Sequence, residues 1–254
     1  MCLVKERILV VVLMVCLSFA SLVSINAYAE EEVGVLKDLP IEVSADIAMN
    51  SKYIWRGFTL DDDPVMQQGI YVSAYGFTAS VWGSFDIDAD DSLNSDEVDY
   101  AIDYTHEFDK FSLSIGHTYY DFPPADTASK EFYVGAGLNM PLSSTLVWYH
   151  DYGEEDSGGG DGDYIVLGLS HNLPLGESPI ALNLSGHVGY NHELFINGNG
   201  GDVAIGVGLT IPLTEKISFS PNANYSVPFG DLKDSNDGNQ DDKFYGGFTL
   251  AFGF

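Results

Sequence analysis

Acidic side chains recur at even spacing in several segments of the sequence. Glu42 and Asp46 are four residues apart, as are Asp99 and Asp103, and side chains at that spacing lie on one face of a β-strand. Carboxylates that line a pore opposite an arginine create a transverse field that sorts ions by charge. The pattern therefore predicts these pore-lining candidates: Glu42, Asp46, Arg56, Asp99, Asp103 and Glu131.

Arg56 has two interpretations. It can take part in ion sorting, or it can neutralise acids in the lumen and fix the first long loop, because a buried charge needs a partner. We favour the second. If the odd positions of 41–49 face lipid and the alternation continues past residue 50, Tyr53 and Trp55 point outward. Lys52 and Arg56 then point into the lumen.

Calcium is a weaker hypothesis for the acidic segment 86–91. Asp86, Asp88 and Asp90 are oxygen ligands of the type that Ca²⁺ prefers, but their spacing does not match an EF-hand loop. We favour solvated loops for this segment and for the acidic clusters at 61–63, 154–156 and 231–242. Divalent cations that bridge these loops to lipopolysaccharide are the alternative.

Catalysis is not expected, and no cofactor is predicted. Six histidines are spread along the chain without a G-x-S-x-G nucleophile motif. Many Ser–His pairings are still open in a barrel, so an outer-membrane hydrolase stays as the least favoured function.

The charge balance excludes some partners. The chain of 254 residues carries 38 Asp and Glu against 10 Lys and Arg, a formal net charge of −28. Nucleic-acid binding needs a basic face, which ten basic residues scattered along the chain do not supply. The hydrophobic fraction of 45% and the aromatic fraction of 13% argue against disorder.

The dominant periodicity is two residues, which is typical of β-strands. In the segment 98–105, Val98, Tyr100 and Ile102 alternate with acidic or small residues. We predict twelve strands of about ten residues, with ten or fourteen as alternatives, each long enough to cross a bilayer when tilted. They lie near 41–50, 67–76, 78–87, 97–106, 111–120, 130–140, 144–151, 163–171, 179–190, 202–211, 216–226 and 243–254.

The connections between these strands are predicted to alternate in length. The long, acidic ones cover about 51–66, 87–97, 121–131, 151–163, 191–202 and 228–243, and the others are short turns. Long extracellular loops and short periplasmic turns are typical of an all-β, antiparallel transmembrane barrel. A soluble β-sandwich is the alternative, but its loop lengths need not alternate.

Residues 1–29 are predicted to be a cleaved signal peptide. Lys5 and Arg7 precede an apolar run, and Ala27-Tyr28-Ala29 is a cleavage site. Residues 30–254 would then form one barrel domain, exported to the outer membrane of a Gram-negative bacterium.

Three motifs carry a family resemblance: Ser51-Lys52-Tyr53-Ile54-Trp55-Arg56-Gly57, then Pro64-Val65-Met66-Gln67-Gln68-Gly69, then Gly76-Phe77 with Val81-Trp82-Gly83-Ser84. They resemble the signature of the Gcw_chp or TorF family of predicted porins: S-x-Y-x-x-R-G, P-x-x-Q-x-G and G-F-Y-x-G-x-W-x-S. Thr78 and Ser80 depart from the third. The resemblance implies an outer-membrane barrel without a settled substrate. The terminal Phe254 resembles the signal that the barrel-assembly machinery reads.

The sequence thus predicts a channel for passive diffusion of small hydrophilic solutes or ions, biased toward cations. A non-conducting structural or adhesive barrel is the alternative. The expected partners are outer-membrane lipid and lipopolysaccharide, the assembly machinery through Phe254, and small solutes or cations. Nucleic acid is not expected.

Overall fold

The computed structural model describes residues 40–87, 96–154, 158–235 and 240–254. The predicted signal peptide therefore lies outside the described residues, as do Asp88 and Asp90. In the described ranges, no helix combines the length and apolarity needed to cross a membrane.

Residues Glu42 to Phe254 form a closed antiparallel barrel of twelve strands, as the sequence predicted. The described residues form fourteen strands, of which β2 and β3 make a separate hairpin. Their bounds are β1 (Glu42–Asn50), β2 (Tyr53–Trp55), β3 (Phe58–Asp61), β4 (Val65–Ala74), β5 (Phe77–Asp86), β6 (Glu97–Glu107), β7 (Phe111–Phe122), β8 (Thr127–Leu138), β9 (Ser143–Asp151), β10 (Gly162–Pro174), β11 (Ala181–His192), β12 (Asn199–Pro212), β13 (Ile217–Gly230) and β14 (Lys243–Gly253).

The barrel closes where its first and last strands meet. β1 pairs with β14 from Ser44↔Gly253 to Asn50↔Gly247, and with β4 on its other edge. From β4 to β14, consecutive strands pair with one another, so the barrel has no open strand edge.

The outer face of the barrel is apolar and exposed. Ile205 is 62% exposed and Ile115 is 55% exposed. In a β-sandwich such residues would pack against a second sheet, whereas lipid covers them in a membrane barrel. Exposed tyrosine and tryptophan side chains stand toward the strand ends, where the interfacial girdles of membrane barrels lie: Tyr100, Trp148, Tyr152, Tyr190 and Tyr225.

The two ends of the barrel differ. We call the end that carries Asn50 and Val65 the loop end, and the end that carries Tyr75 and Gly76 the turn end. Tyr75 and Gly76 both have positive φ, at 55° and 84°, and together they form a two-residue hairpin turn.

Two of the connections predicted as long are shorter than expected. β7 continues to Phe122 and β8 starts at Thr127, which leaves 123–126 between them, and β11 and β12 leave 193–198. The predictions were wrong because these strands continue past the bilayer-spanning length. Asp121, which was assigned to one of these connections, is therefore a strand residue.

The outward orientation predicted for Tyr53 and Trp55 is also wrong. β1 ends at Asn50, and the chain then enters the β2–β3 hairpin, so the period of two is not carried past that point. Tyr53 is only 7% exposed.

Candidate functional site in the lumen

The β2–β3 hairpin crosses the lumen at the loop end. Arg56 and Gly57 form its turn, with φ values of 48° and 83°, which matches the two-residue turns that suit twisted strands. The hairpin packs against inward side chains of seven barrel strands: Trp82, Glu97, Tyr120, Glu131, Tyr149, Tyr164 and Asp202. Because these strands surround it, the hairpin must lie inside the barrel.

Arg56 forms a two-point ion pair with Glu131 of β8. Nη1 donates to Oε2 at 2.5 Å and Nη2 donates to Oε1 at 2.8 Å. The hydroxyl of Tyr120 donates to the same Oε1 at 3.0 Å. The Arg56 side chain is 9% exposed and that of Glu131 is 2% exposed. The favoured interpretation of Arg56, as the partner of a lumen acid that fixes the first loop, is thus what the geometry shows.

Aromatic rings surround the guanidinium of Arg56. Its central carbon lies 4.4 Å from the Trp55 ring centroid, 4.1 Å from that of Tyr149 and 4.8 Å from that of Tyr164. Burial alone would lower the pKa of Arg56, but the Glu131 carboxylate outweighs burial and raises that pKa above its ordinary value. The Arg56 guanidinium therefore stays protonated.

Tyr53 ties the base of the hairpin to β6. Its hydroxyl donates to Glu97 Oε2 at 2.8 Å, and its ring lies 5.8 Å from that of Trp82. Asp99 follows Glu97 on the same inward face and is hydrogen bonded to it. Burial of the hydroxyl, and then the Glu97 carboxylate, raise the pKa of Tyr53 well above its ordinary range.

A second polar cluster lies under the hairpin turn. Asp202 is 1% exposed. It accepts a hydrogen bond from the Tyr164 hydroxyl at 2.6 Å and bonds to His187 Nε2 at 2.7 Å. A Cβ added to Gly57 would lie 2.7 Å from the Asp202 Cβ, so the turn sits directly against this cluster.

Loops at the loop end cover the hairpin. Trp55 and Phe58 both pack against Phe195, with ring centroids 5.9 and 6.5 Å apart. Leu194 and Leu232 are fully buried. The backbone N–H of Thr59 donates to Gln240 at 2.8 Å. These loops thus form a small apolar core that covers the hairpin at the loop end of the barrel.

The other predicted pore-lining acids lie nearer the turn end. Asp46 is partly buried and accepts a hydrogen bond from Tyr71. Asp103 is partly exposed and lies beside Tyr133. Glu42 is exposed at the first residue of β1. The structure thus brings Arg56, Glu131 and Asp99 together at one level, and leaves Asp46, Asp103 and Glu42 apart from them.

A cavity of about 540 Å³ lies beside the hairpin. Its lining includes Asn50, Gln67, Asn222 and Asn224 as well as aromatic side chains and Asp99. A smaller volume of about 270 Å³ extends along the strands β9 to β14 and is lined partly by His187. The lumen therefore retains polar space on the turn-end side of the hairpin.

A charged bridge closes the rim between the first and last loops. Asp62 accepts from Lys52 Nζ at 2.6 Å and from Lys243 Nζ at 2.9 Å. Partial burial alone would raise the pKa of Asp62, but the two lysines outweigh it and hold that pKa below its usual value.

The remaining predictions have separate outcomes. Asp86 ends β5, and no group of three metal-ligating side chains occurs in the part of the chain that the structure describes. His150 bonds to Asp163 and His117 to Tyr152, both toward the outer face, while His187 bonds to Asp202 in the lumen.

Sequence reasoning missed several lumen residues. Tyr120, Tyr149 and Tyr164 share the inward parity of their strands, so an extended period-two register would have found them. Asp202 was assigned to the edge of a long loop, because the extension of β12 to Asn199 gives no apolar signal.

The family assignment follows from a match over most of the chain. The family model described as "Bacterial protein of unknown function (Gcw_chp)" matches residues 36–222. The chain belongs to the Gcw_chp family. Its signature residues Tyr53, Arg56 and Gly57 are the ones that anchor the lumen hairpin.

Solved structures show which known proteins share the fold. A KdgM porin is similar with a TM-score of 0.55 and 13% identity, over 83% of this chain and 99% of the porin chain. A KdgM porin in complex with disordered oligogalacturonate has a TM-score of 0.54 and 12% identity, over 84% of this chain and 99% of the porin chain. A NanC porin has a TM-score of 0.53 and 9% identity, over 82% of this chain and 98% of the porin chain. Among curated proteins, none matches the sequence. The fold of this Gcw_chp protein is therefore one that porins use.

Proposed function

We propose that this protein is an outer-membrane channel for the passive diffusion of small hydrophilic solutes or ions, with a preference for cations. The observation that carries the proposal is the polar cavity of about 540 Å³ that remains inside a closed barrel next to the hairpin. A solid interior would be expected of a purely structural barrel. A barrel of this strand number lies between those that side chains fill and those with a wide channel.

The cation preference rests on the balance of partners in the lumen. Arg56 is paired with Glu131, and Lys52 is paired with Asp62. Among the described residues, no lysine or arginine forms an ion pair with the inward acids Asp46, Glu97, Asp99 and Asp103. Glu97 and Asp99 are hydrogen bonded and so share one proton. Asp46, Asp103 and the one negative charge of this pair still give the lumen an excess of negative charge, which favours cations.

The apolar outer face and its aromatic girdle support an outer-membrane location. In the proposed orientation the loop end faces the exterior and the lipopolysaccharide, and the turn end faces the periplasm. Phe254 lies at the turn end, where its N–H donates to the Val43 carbonyl at 3.1 Å. This position is consistent with a role as the signal for the barrel-assembly machinery.

Single-channel recording across a planar bilayer with a salt gradient tests the proposal. We expect discrete conductance steps and a reversal potential on the cation side. An anion-selective reversal potential would reject the cation preference, and the absence of conductance from correctly folded protein would reject the channel.

A non-conducting structural or adhesive barrel is the second candidate, because the ion pair and the apolar cap hold the hairpin across the lumen. It predicts a folded, heat-modifiable protein without conductance, even after the hairpin has been removed. Labelling with a serine-reactive phosphonate separates both candidates from a hydrolase, and we expect no labelling.

A further inference from the structure

The cavity beside the hairpin is lined by aromatic rings. Six of them face it, from the hairpin and from four barrel strands: Tyr53, Trp55, Tyr71, Trp82, Tyr120 and Tyr245. Asp99 and Lys52 are the charged side chains among its lining residues. This combination differs from an ion filter, in which oxygen atoms predominate.

The hydroxyl protons of three lining tyrosines are already committed to carboxylates. Tyr53 donates to Glu97 and Tyr120 donates to Glu131, and Tyr71 is hydrogen bonded to Asp46. These groups therefore offer few donors to a solute. What remains available is ring surface, and ring faces carry partial negative charge.

The charged groups of the cavity also favour a positive solute. Lys52 is 2.6 Å from Asp62, so its charge is compensated. Within the described residues, Asp99 Oδ1 is buried and has no hydrogen-bond partner. A buried acceptor without a partner is unfavourable. Asp99 shares one proton with Glu97, so the pair carries one negative charge, which an organic cation in the cavity would compensate.

Other solute classes fit less well. A metal ion such as Ca²⁺ takes six to eight oxygen ligands, whereas one carboxylate lines this cavity. An acidic saccharide, the class that one KdgM structure contains, would meet Asp99 and the nearby Glu97 with the wrong sign of charge. A neutral sugar finds amide donors in the lining but supplies no positive charge to compensate the buried acid.

We propose that this cavity binds compact organic ammonium ions, with the ammonium group held between Asp99 and the faces of Trp82, Tyr53 and Tyr120. Cations over aromatic faces bind most strongly when they are desolvated, and the hairpin provides that shielding. The inference deepens the proposed function and rests on it, because it names the solute class of the same lumen.

Equilibrium binding to the protein refolded in detergent micelles tests the inference without requiring conductance. Trp55 and Trp82 line the cavity and Trp148 lies on the outer face, so a Trp148→Phe background reports lumen binding by tryptophan fluorescence. The probes are choline, its uncharged isostere 3,3-dimethyl-1-butanol, glucose and galacturonate. We expect saturable binding of choline, and binding of its isostere at least about tenfold weaker.

The double variant Glu97→Gln with Asp99→Asn removes the negative charge that the two residues share and should weaken choline binding about tenfold or more, while Asp126→Asn, at an exposed loop tip, should leave it unchanged. Equal binding of choline and its isostere, or tighter binding of glucose or galacturonate, would overturn the inference even if the variant failed to fold. Binding without conductance would reject the channel and support the ammonium site. Conductance without choline binding would support the channel and reject the ammonium site.

Discussion

The guanidinium of Arg56 and the carboxylate of Glu131 meet inside the barrel, 75 positions apart in the chain, through two hydrogen bonds of 2.5 and 2.8 Å. One partner is the tip of a hairpin and the other belongs to the wall. The pair therefore determines where the first loop lies and how much of the lumen it occupies.

Breaking this pair from one side should destabilise the protein. Glu131→Gln leaves the Arg56 charge buried without its counterion, and such a loss typically costs about 3–5 kcal/mol. Arg56→Asn leaves Glu131 in the same situation and preserves the turn, because asparagine tolerates positive φ. Urea unfolding in detergent, followed by tryptophan fluorescence, measures both.

The double variant Arg56→Asn with Glu131→Gln separates the pair from its surroundings. With both charges removed, the loss should be smaller than the sum of the two single losses, because neither charge is left alone. Additive losses would show that the two groups act independently, contrary to the geometry. Asp126→Asn serves as the control.

Much of this fold could be read from the sequence, because the period of two persists wherever one face meets lipid and the other meets the lumen. Tyr100, Ile102 and Asp103 show the rule within β6. Where a strand continues past the bilayer, neither face meets lipid, so apolar and polar residues no longer have to alternate. The ends of β7, β8 and β12 were therefore placed wrongly.

The site was harder to predict than the barrel. Arg56 and Glu131 were both expected to face the lumen, and a pairing of Arg56 with a lumen acid was favoured, but Glu131 was not singled out as the partner. Tyr53 and Trp55 were placed on the lipid face, because nothing in the local pattern indicates that the chain folds inward after Asn50. The Arg-Gly pair was the available signal, since a two-residue turn followed by alternating residues indicates a hairpin.

Gly57→Ala should destabilise the hairpin. Gly57 has a φ of 83°, and an added Cβ would lie 2.7 Å from the Asp202 Cβ and 2.8 Å from a Leu232 methyl. A strained backbone position of this kind costs about 1–3 kcal/mol, before the steric contact is counted. Gly253→Ala is the matched control, because nothing lies within 4 Å of a Cβ there. Equal stability of the two variants would contradict the packing described for the turn.

The rim bridge should make stability depend on pH. The lysines hold the folded-state pKa of Asp62 below its unfolded value. The bridge therefore stabilises the folded protein fully above the usual aspartate pKa of about 3.9, and this stabilisation is lost as pH falls through the lower folded-state pKa. Asp62 is 48% exposed, and such bridges contribute less than about 1 kcal/mol. Unfolding midpoints between acid and neutral pH should show that Asp62→Asn removes a small stabilisation at neutral pH only. A difference in unfolding midpoint between variant and parent that grows toward acid pH would contradict this prediction.

Removing lumen acids should reduce cation selectivity. Asp46→Asn and Asp103→Asn each take one negative charge from the lumen, and the reversal potential in a salt gradient should move toward zero in each and further in the double variant. Asp126→Asn removes the same charge from an exposed loop and should move it little, because salt screens exposed charges. An unchanged reversal potential in the double variant would place the selectivity elsewhere in the barrel.

Removing the hairpin should enlarge the conducting path. Asn50 and Val65 are directly paired across β1 and β4, so Asn-Gly can replace residues 51–64 as a two-residue turn. Glu131→Gln in the same variant avoids leaving a buried carboxylate without its partner, and Glu131→Gln alone is the control. Because the hairpin contacts seven of the twelve barrel strands, its loss should raise single-channel conductance and admit larger uncharged solutes in liposome-swelling assays. A folded variant that conducts no better than this control would mean that the hairpin does not limit passage, and a variant that conducts nothing at all would favour the closed structural barrel.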